Sequence, residues 1–416
     1  MQLPSGPARI LGALHHRNFA IYTLGNAVSL TGTWMQRVAI GWLTWELTHS
    51  GLWLGIISFA DLFPSLIVGP IAGAAADRWD RLRVTRVSQA LAMIHSVVLF
   101  ALTAMGWITI ELLLGLTLYL GVVIGFNQPA RMALVPALVP REQVPTALAT
   151  NSIIFNSARF VGPAAAGLAI VWGGVAVAFL VNSLTFVVFL VCLARLRLDP
   201  AALRPAARPR GFLHEMNAGI RYTARHEGIG TLILLLLTVC LFTRPFVELL
   251  PGFADAVFDA GAGGLALLTS TIGAGAMLGG LWLSGRPDQR DLTRIVLLAS
   301  AAQCLTLLAF VATDSLWLAL PALAVAGFAM VAGGVGSQTL VQHAVAEDMR
   351  GRVMSFYGLT FRCGPALGAL VMGWASEFMG LRWPLAIGAA LTLALCLRLW
   401  LRRDRIAQAA ETAVQT

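Results

Sequence analysis

Lysine is missing altogether, and all 29 basic residues are arginine. We read that as a coding bias and take no mechanism from it. Charge of either sign is scarce, at 12% of residues against 58% hydrophobic, with a mean hydropathy of +0.78. Soluble domains carry about twice that charged share, so the composition excludes an ordinary globular protein and leaves a multi-span membrane protein. The five cysteines, Cys192, Cys240, Cys304, Cys363 and Cys396, stand singly in apolar segments with no Cys-x-x-Cys pair and no Cys/His cluster. That spacing supports neither a metal site nor a disulfide framework. No GxxxxGK[ST] run, no GxSxG elbow and no large soluble domain is present. A nucleotide-driven pump, a membrane enzyme and a domain-bearing sensor lose their support with them, and no cofactor is expected. The net charge of +9 invites a nucleic-acid reading, which the distribution of the arginines opposes. The first residues lack a signal-peptide core ending in a small-residue cleavage site, so the first span is expected to persist as structure.

What the chain does have is recurrence. Apolar stretches of about 20 residues, enough to cross a bilayer, follow one another along nearly its whole length. Twelve spans are expected, six at roughly 19–46, 52–75, 84–105, 111–136, 146–171 and 174–194, and six at roughly 230–251, 264–285, 293–312, 315–338, 352–377 and 383–401. The expected fold class is an all-α integral membrane protein of two pseudo-symmetric six-helix bundles. Residues 1–194 form the first bundle, 195–229 a cytoplasmic linker with an amphipathic surface helix, and 230–416 the second bundle with a short tail. Arginines crowd every second loop, while Arg382 alone falls in the opposite set. That bias places both termini in the cytoplasm of a bacterial inner membrane.

The halves echo each other. A loop Pro140-Arg141-Glu142 leading into Arg159-Phe160-Val161-Gly162-Pro163 with Gly167 returns as Glu347-Asp348-Met349-Arg350 leading into Arg362-Cys363-Gly364-Pro365 with Gly368, at offsets of about 201–205 residues, as in a duplicated six-helix unit.

Ionisable residues inside spans cost about 2.5–3.5 kcal/mol each on insertion scales and need a reason to persist. Arg37 and Asp61 each lie twelve residues from His49, in the turn between the first two spans, so they share a depth on neighbouring helices. Two readings stand for them, a proton-sensitive switch and a structural salt bridge of fixed protonation. Arg159 and Arg362 sit too deep for ready snorkelling, whereas Arg131 is close enough to the inner end to reach the surface. Arg244 and Glu248 stand four apart around Pro245, as a self-neutralising pair on one helix would. Five in-span arginines against Asp61 and Glu248 leave a positive excess suited to an anionic or carbonyl-rich substrate.

The stretch Gly69 to Arg86, GPIAGAAADRWDRLRVTR, carries the most specific signal. Gly73-x-x-x-Asp77-Arg78-x-x-Arg81-x-Arg83 resembles the loop between the second and third helices of the major facilitator superfamily of secondary transporters. The resemblance implies a cytoplasmic latch of Gly73, Asp77, Arg78 and Arg81, with Asp77 near the start of the eleventh helix; Asp80 stands where the family usually has glycine. A plain topogenic loop would need the arginines but not the Gly73 to Asp77 spacing. Asn156, Gly162, Pro163 and Gly167 resemble the fifth-helix motif of exporters, without its upstream glycine; helix packing with a kink accounts for the same small residues and proline. Thr48-His49-Ser50, the PALVPRE run from Pro136 and the Arg350-Gly351-Arg352-Val353 turn are similar to the branch holding the enterobactin exporter and macrolide efflux proteins.

By that resemblance, Asn26, Gln36, Asn127, Gln128 and Gln338 are candidates to line the substrate cavity, and Glu248 lies toward its outer end. Asp61 and Glu248 are the candidate proton carriers. The expected activity is proton-coupled efflux of a small amphipathic molecule, siderophore or drug-like, by alternating access. Expected partners are that molecule, protons and the lipid bilayer, with no nucleic acid and a monomeric chain. An importer or a lysophospholipid flippase on the same scaffold is the alternative, and a non-transporting sensor a lesser one.

Overall fold

The computed structural model describes residues 12–76, 79–197, 212–286 and 291–411. Among them every regular element is helical. The first half contributes α1 (Arg17–Thr48), α2 (Gly51–Ala76), α3 (Arg81–Ala104), α4 (Ile110–Leu134) and α5 (Val144–Ala194). The second contributes α6 (Phe212–Arg225), α7 (Glu227–Phe242), α8 (Phe246–Gly252), α9 (Gly261–Ser284), α10 (Leu292–Ala312), α11 (Leu316–Ala344), α12 (Arg350–Met379), α13 (Arg382–Trp400) and α14 (Arg403–Glu411). Nine helical stretches among the described residues are long and apolar enough to cross a membrane. α1 and α12, of 32 and 30 residues, have the length but a more polar sequence.

Helix starts follow local chemistry. Asp80 precedes α3 and its carboxylate accepts from the backbone N–H groups of Leu82 at 2.8 Å and Arg83 at 3.2 Å, an N-cap that explains the aspartate in that turn. Thr109 caps α4 and His226 caps α7 in the same way. At the other end of α5, Arg86 donates to the Leu193 carbonyl through Nε at 3.2 Å and Nη2 at 2.6 Å, setting a cation at a helix C-terminus.

The chain divides into two compact units, residues 1–47 with 60–208, and residues 48–59 with 209–416. α2 therefore contributes its first nine residues to the second unit and the rest to the first.

Duplication is written into the backbone torsions. α5 folds at Gly174 (φ 78°, ψ 175°) into two arms, and α12 gives way to α13 at Gly380 (φ 75°, ψ 169°). That corner of torsion space is essentially closed to residues with a Cβ. His49, after α1, and Asp259, before α9, both take φ 48°. The same two corners thus recur in each half, at a spacing close to that of the Arg-Gly-Pro motifs.

One expected span is broken. In place of a continuous helix over 230–251, α7 ends at Phe242 and α8 begins at Phe246. Pro245 has no N–H to continue the ladder, and the N–H groups of Thr243 and Arg244 both turn back to the Val239 carbonyl, each at 3.0 Å. A π-helical turn follows at Phe253–Val257, a rare form frequent at functional sites.

Candidate functional site

In the first unit the polar side chains of α1 fall into three groups. Deepest is Gln36, 2% exposed, whose Oε1 accepts from Ser96 Oγ at 2.8 Å and Asn182 Nδ2 at 2.7 Å, while its Nε2 lies 3.4 Å from His95 Nδ1. Thr185 Oγ1 extends the chain to Asn182 Oδ1 at 2.9 Å. Gly32 leaves the room for this crossing, since a Cβ there would stand 2.3 Å from Asn182 Oδ1. The network ties α1 to α3 and to the second arm of α5. Buried amides in so apolar a setting need such partners.

The second group holds Asn26, whose Nδ2 donates to Asn151 Oδ1 at 3.0 Å and whose Oδ1 accepts from Arg131 Nη2. Arg131 also lies over the Phe189 ring at 5.2 Å. An amide acceptor and an aromatic face thus hold its guanidinium.

The third group joins the charges. Arg37 Nη2 stands 3.7 Å from Asp61 Oδ2, with side chains 35% and 23% exposed. The guanidinium groups of Arg37 and Arg159 lie 5.6 Å and 5.4 Å from the ring of Trp34, and Phe155 meets that ring edge-on at 5.8 Å. Gly162 brings the first arm of α5 onto α1 at this point: a Cβ would stand 2.4 Å from Trp34 Cβ and 3.0 Å from Met35 N. Gly162, Pro163 and Gly167 are buried, while Asn156 is exposed and donates to the Ser152 carbonyl at 2.8 Å.

In the second unit Arg244 occupies the break between α7 and α8, 9% exposed, with its guanidinium 3.9 Å from the centre of the Phe361 ring. Glu248 follows, half-buried, in the first turn of α8. Gly364 and Gly368 press α12 onto this break; Cβ atoms there would lie 2.6 Å from Cys240 Cβ and 2.3 Å from the Leu241 carbonyl oxygen. The repeated Arg-Gly-Pro segments therefore do the same work in both halves, seating a glycine-faced helix on the first long helix of its own half. Arg362 itself is exposed.

The sequence model of the transmembrane secretion effector family matches residues 9–415. The chain belongs to that family. It is a major facilitator transporter, a multi-pass membrane protein and not an enzyme. The chain is 26% identical over 372 residues to the enterobactin exporter EntS of Escherichia coli, covering 88% of this chain and 86% of that one. It is 23% identical over 386 residues to macrolide efflux protein A of Streptococcus pyogenes, covering 90% and 93%. Its fold is that of a bacterial homologue of the iron transporter ferroportin solved in an inward-facing state, with a TM-score of 0.71 at 15% identity over 92% of this chain and 98% of the other.

The remaining predicted positions lie as follows. Asn127 is buried and Gln128 half-buried on α4, and Gln338 is exposed on α11. Gly73 lies in the last turns of α2; Asp77 and Arg78 fall outside the described residues. Arg81 donates to the Ala133 carbonyl at 3.2 Å. Sequence reasoning missed Trp34, Asn151, His95, Asn182 and Phe361. An aromatic three or four residues from an in-span arginine is the signal that could have found Trp34, which precedes Arg37 by three.

Proposed function

We propose that this transporter exports a small amphipathic compound, siderophore or drug-like, in exchange for protons, by alternating access of two six-helix bundles. Counting both arms of α5 together with α1 and α12, the chain passes the membrane twelve times, with both termini in the cytoplasm and Asp77 as part of the inner latch. It works as a monomer. The observation that carries the reading is the Arg37–Asp61 pair: two opposite charges on helices of membrane-spanning length, 3.7 Å apart and each partly exposed. A charge at that depth facing lipid is too costly to keep, so the exposed portion faces water inside the membrane. A carboxylate reached by water and paired with a guanidinium is a site where a proton can replace an ion pair. Asp61 is the first proton carrier on this reading and Glu248 the second. The end-to-end likeness to proteins named as exporters supports the outward direction.

The test is flux in proteoliposomes under an imposed proton gradient, with erythromycin and a catecholate siderophore as probes. Asp61→Asn is expected to abolish gradient-driven flux while leaving downhill exchange measurable. Gradient-driven flux equal to wild type removes Asp61 from the role, and uptake into whole cells in place of efflux reverses the direction.

A further inference from the structure

The first turn of α2 is completed by a side chain more than 300 residues away. Ser50 is its N-cap: its Oγ accepts from the N–H of Trp53 at 3.3 Å and its carbonyl from the N–H of Leu54 at 3.4 Å. Glu377, in the last turn of α12, takes what that cap leaves over. Its Oε1 accepts from Ser50 Oγ at 2.7 Å and from the N–H of Leu52 at 3.2 Å. A carboxylate at a helix N-terminus also opposes the positive end of the helix dipole. Beneath it the two backbones touch with nothing between them. A Cβ on Gly51 would stand 2.1 Å from Ser376 Oγ, one on Gly55 2.5 Å from the Ala369 carbonyl oxygen, and one on Gly373 2.2 Å from the Gly51 carbonyl oxygen. Such small-residue crossings hold by packing and a few hydrogen bonds, with little apolar surface to lose on parting.

All of these contacts lie inside the second unit, to which residues 48–59 belong, while α2 from Ala60 onward belongs to the first. A single helix is thus shared, and it carries Asp61 two residues past the boundary. If the units move against each other, α2 must either bend near residue 60 or leave one of its two seats. The glycine-faced seat is the one a single side chain can release, since the Ser50 and Leu52 contacts converge on one carboxylate oxygen.

Resting on the alternating-access reading above, we infer that Glu377 is a gating residue. Its carboxylate clasps the Ser50–Leu52 turn in the state seen here, and release of that clasp lets the start of α2 leave α12 in the opposite state. Glu377 touches no substrate in this scheme. It sets the balance between two conformations.

The experiment uses the full chain in lipid nanodiscs, with the native cysteines replaced and spin labels at Trp53→Cys and Phe378→Cys; Phe378 is 73% exposed. Wild type is expected to give a short distance with a minor longer one. Glu377→Ala removes the shared acceptor and is expected to shift the ratio toward the longer distance about tenfold, the scale of one hydrogen bond to a charged group. Gly55→Ala, which forces the helices apart and leaves Glu377 intact, is expected to shift it the same way. Thr109→Ala, which removes an unrelated cap, is expected to leave it alone. If Glu377→Ala does not fold, Ser50→Ala and Glu377→Gln give smaller shifts of the same sign. A ratio indifferent to every Glu377 and Ser50 variant overturns the clasp while leaving export intact. A single distance that no variant, probe substrate or pH gradient moves overturns both the clasp and alternating access.

Discussion

The two halves share corners and motifs but not chemistry where their third and sixth long helices meet. In the first unit α3 and the second arm of α5 are joined through Ser96, Gln36 and Asn182, a run of hydroxyl and amide hydrogen bonds with His95 at its edge. In the second, α10 packs against α13, where Cys304 and Cys396 are both buried thiols; Cys396 lies in an apolar cluster with Val296, Leu340 and Tyr357. Nearby, Gln303 is buried with no partner for its amide nitrogen. Duplication preserved the positions that fix chain geometry and released those that only fill space. A hydrogen-bonded network specifies one arrangement of its helices, whereas thiols and hydrocarbon tolerate small slips.

That contrast can be broken by substitution. Gln36→Leu strips the shared partner from Asn182 and Ser96, and each buried polar group left orphaned costs about 1–3 kcal/mol. It is expected to lower the melting temperature of the purified protein more than any other change considered. Gly174→Ala and Gly380→Ala come next. Each puts a Cβ where only glycine fits, at about 1–3 kcal/mol, and the two losses should match if the corners are equivalent. Asp80→Ala removes the cap of α3 and should cost about 1 kcal/mol, read as earlier melting with unchanged helix content. Cys304→Ala, a modest volume change in an apolar site, should cost less than about 1.5 kcal/mol. Were it to cost as much as Gln36→Leu, the two cores would not differ in the way described.

Fold and site were unequally legible. The all-helical membrane class follows from composition, and the likeness of the halves from the Arg159 and Arg362 motifs, because glycine and proline mark where backbones approach. Arg37 and Asp61 could be paired by counting from His49, since an antiparallel turn equates depths on its two helices. His95 could not be placed in the same way. Its partner Gln36 is 59 residues away, and one imidazole in an apolar helix gives no sign of which neighbour it meets. The break at Thr243 to Pro245 was half visible: the proline was plain, but whether a helix kinks or stops depends on what packs against it, here Gly364 and Gly368. Glu377 gave no signal at all, being an acidic residue at a helix end like many others.

Gly174 has one more consequence. A connection of a single residue has no slack, so the first arm of α5, with Gly162 and Arg159, and the second, with Asn182, behave as the two throws of a crank. With no spare residues between the arms, a displacement of the end of the first also moves the start of the second, the arm that carries Asn182 of the Gln36 network. Lengthening this joint with flexible residues would uncouple the throws without touching a single contact of either.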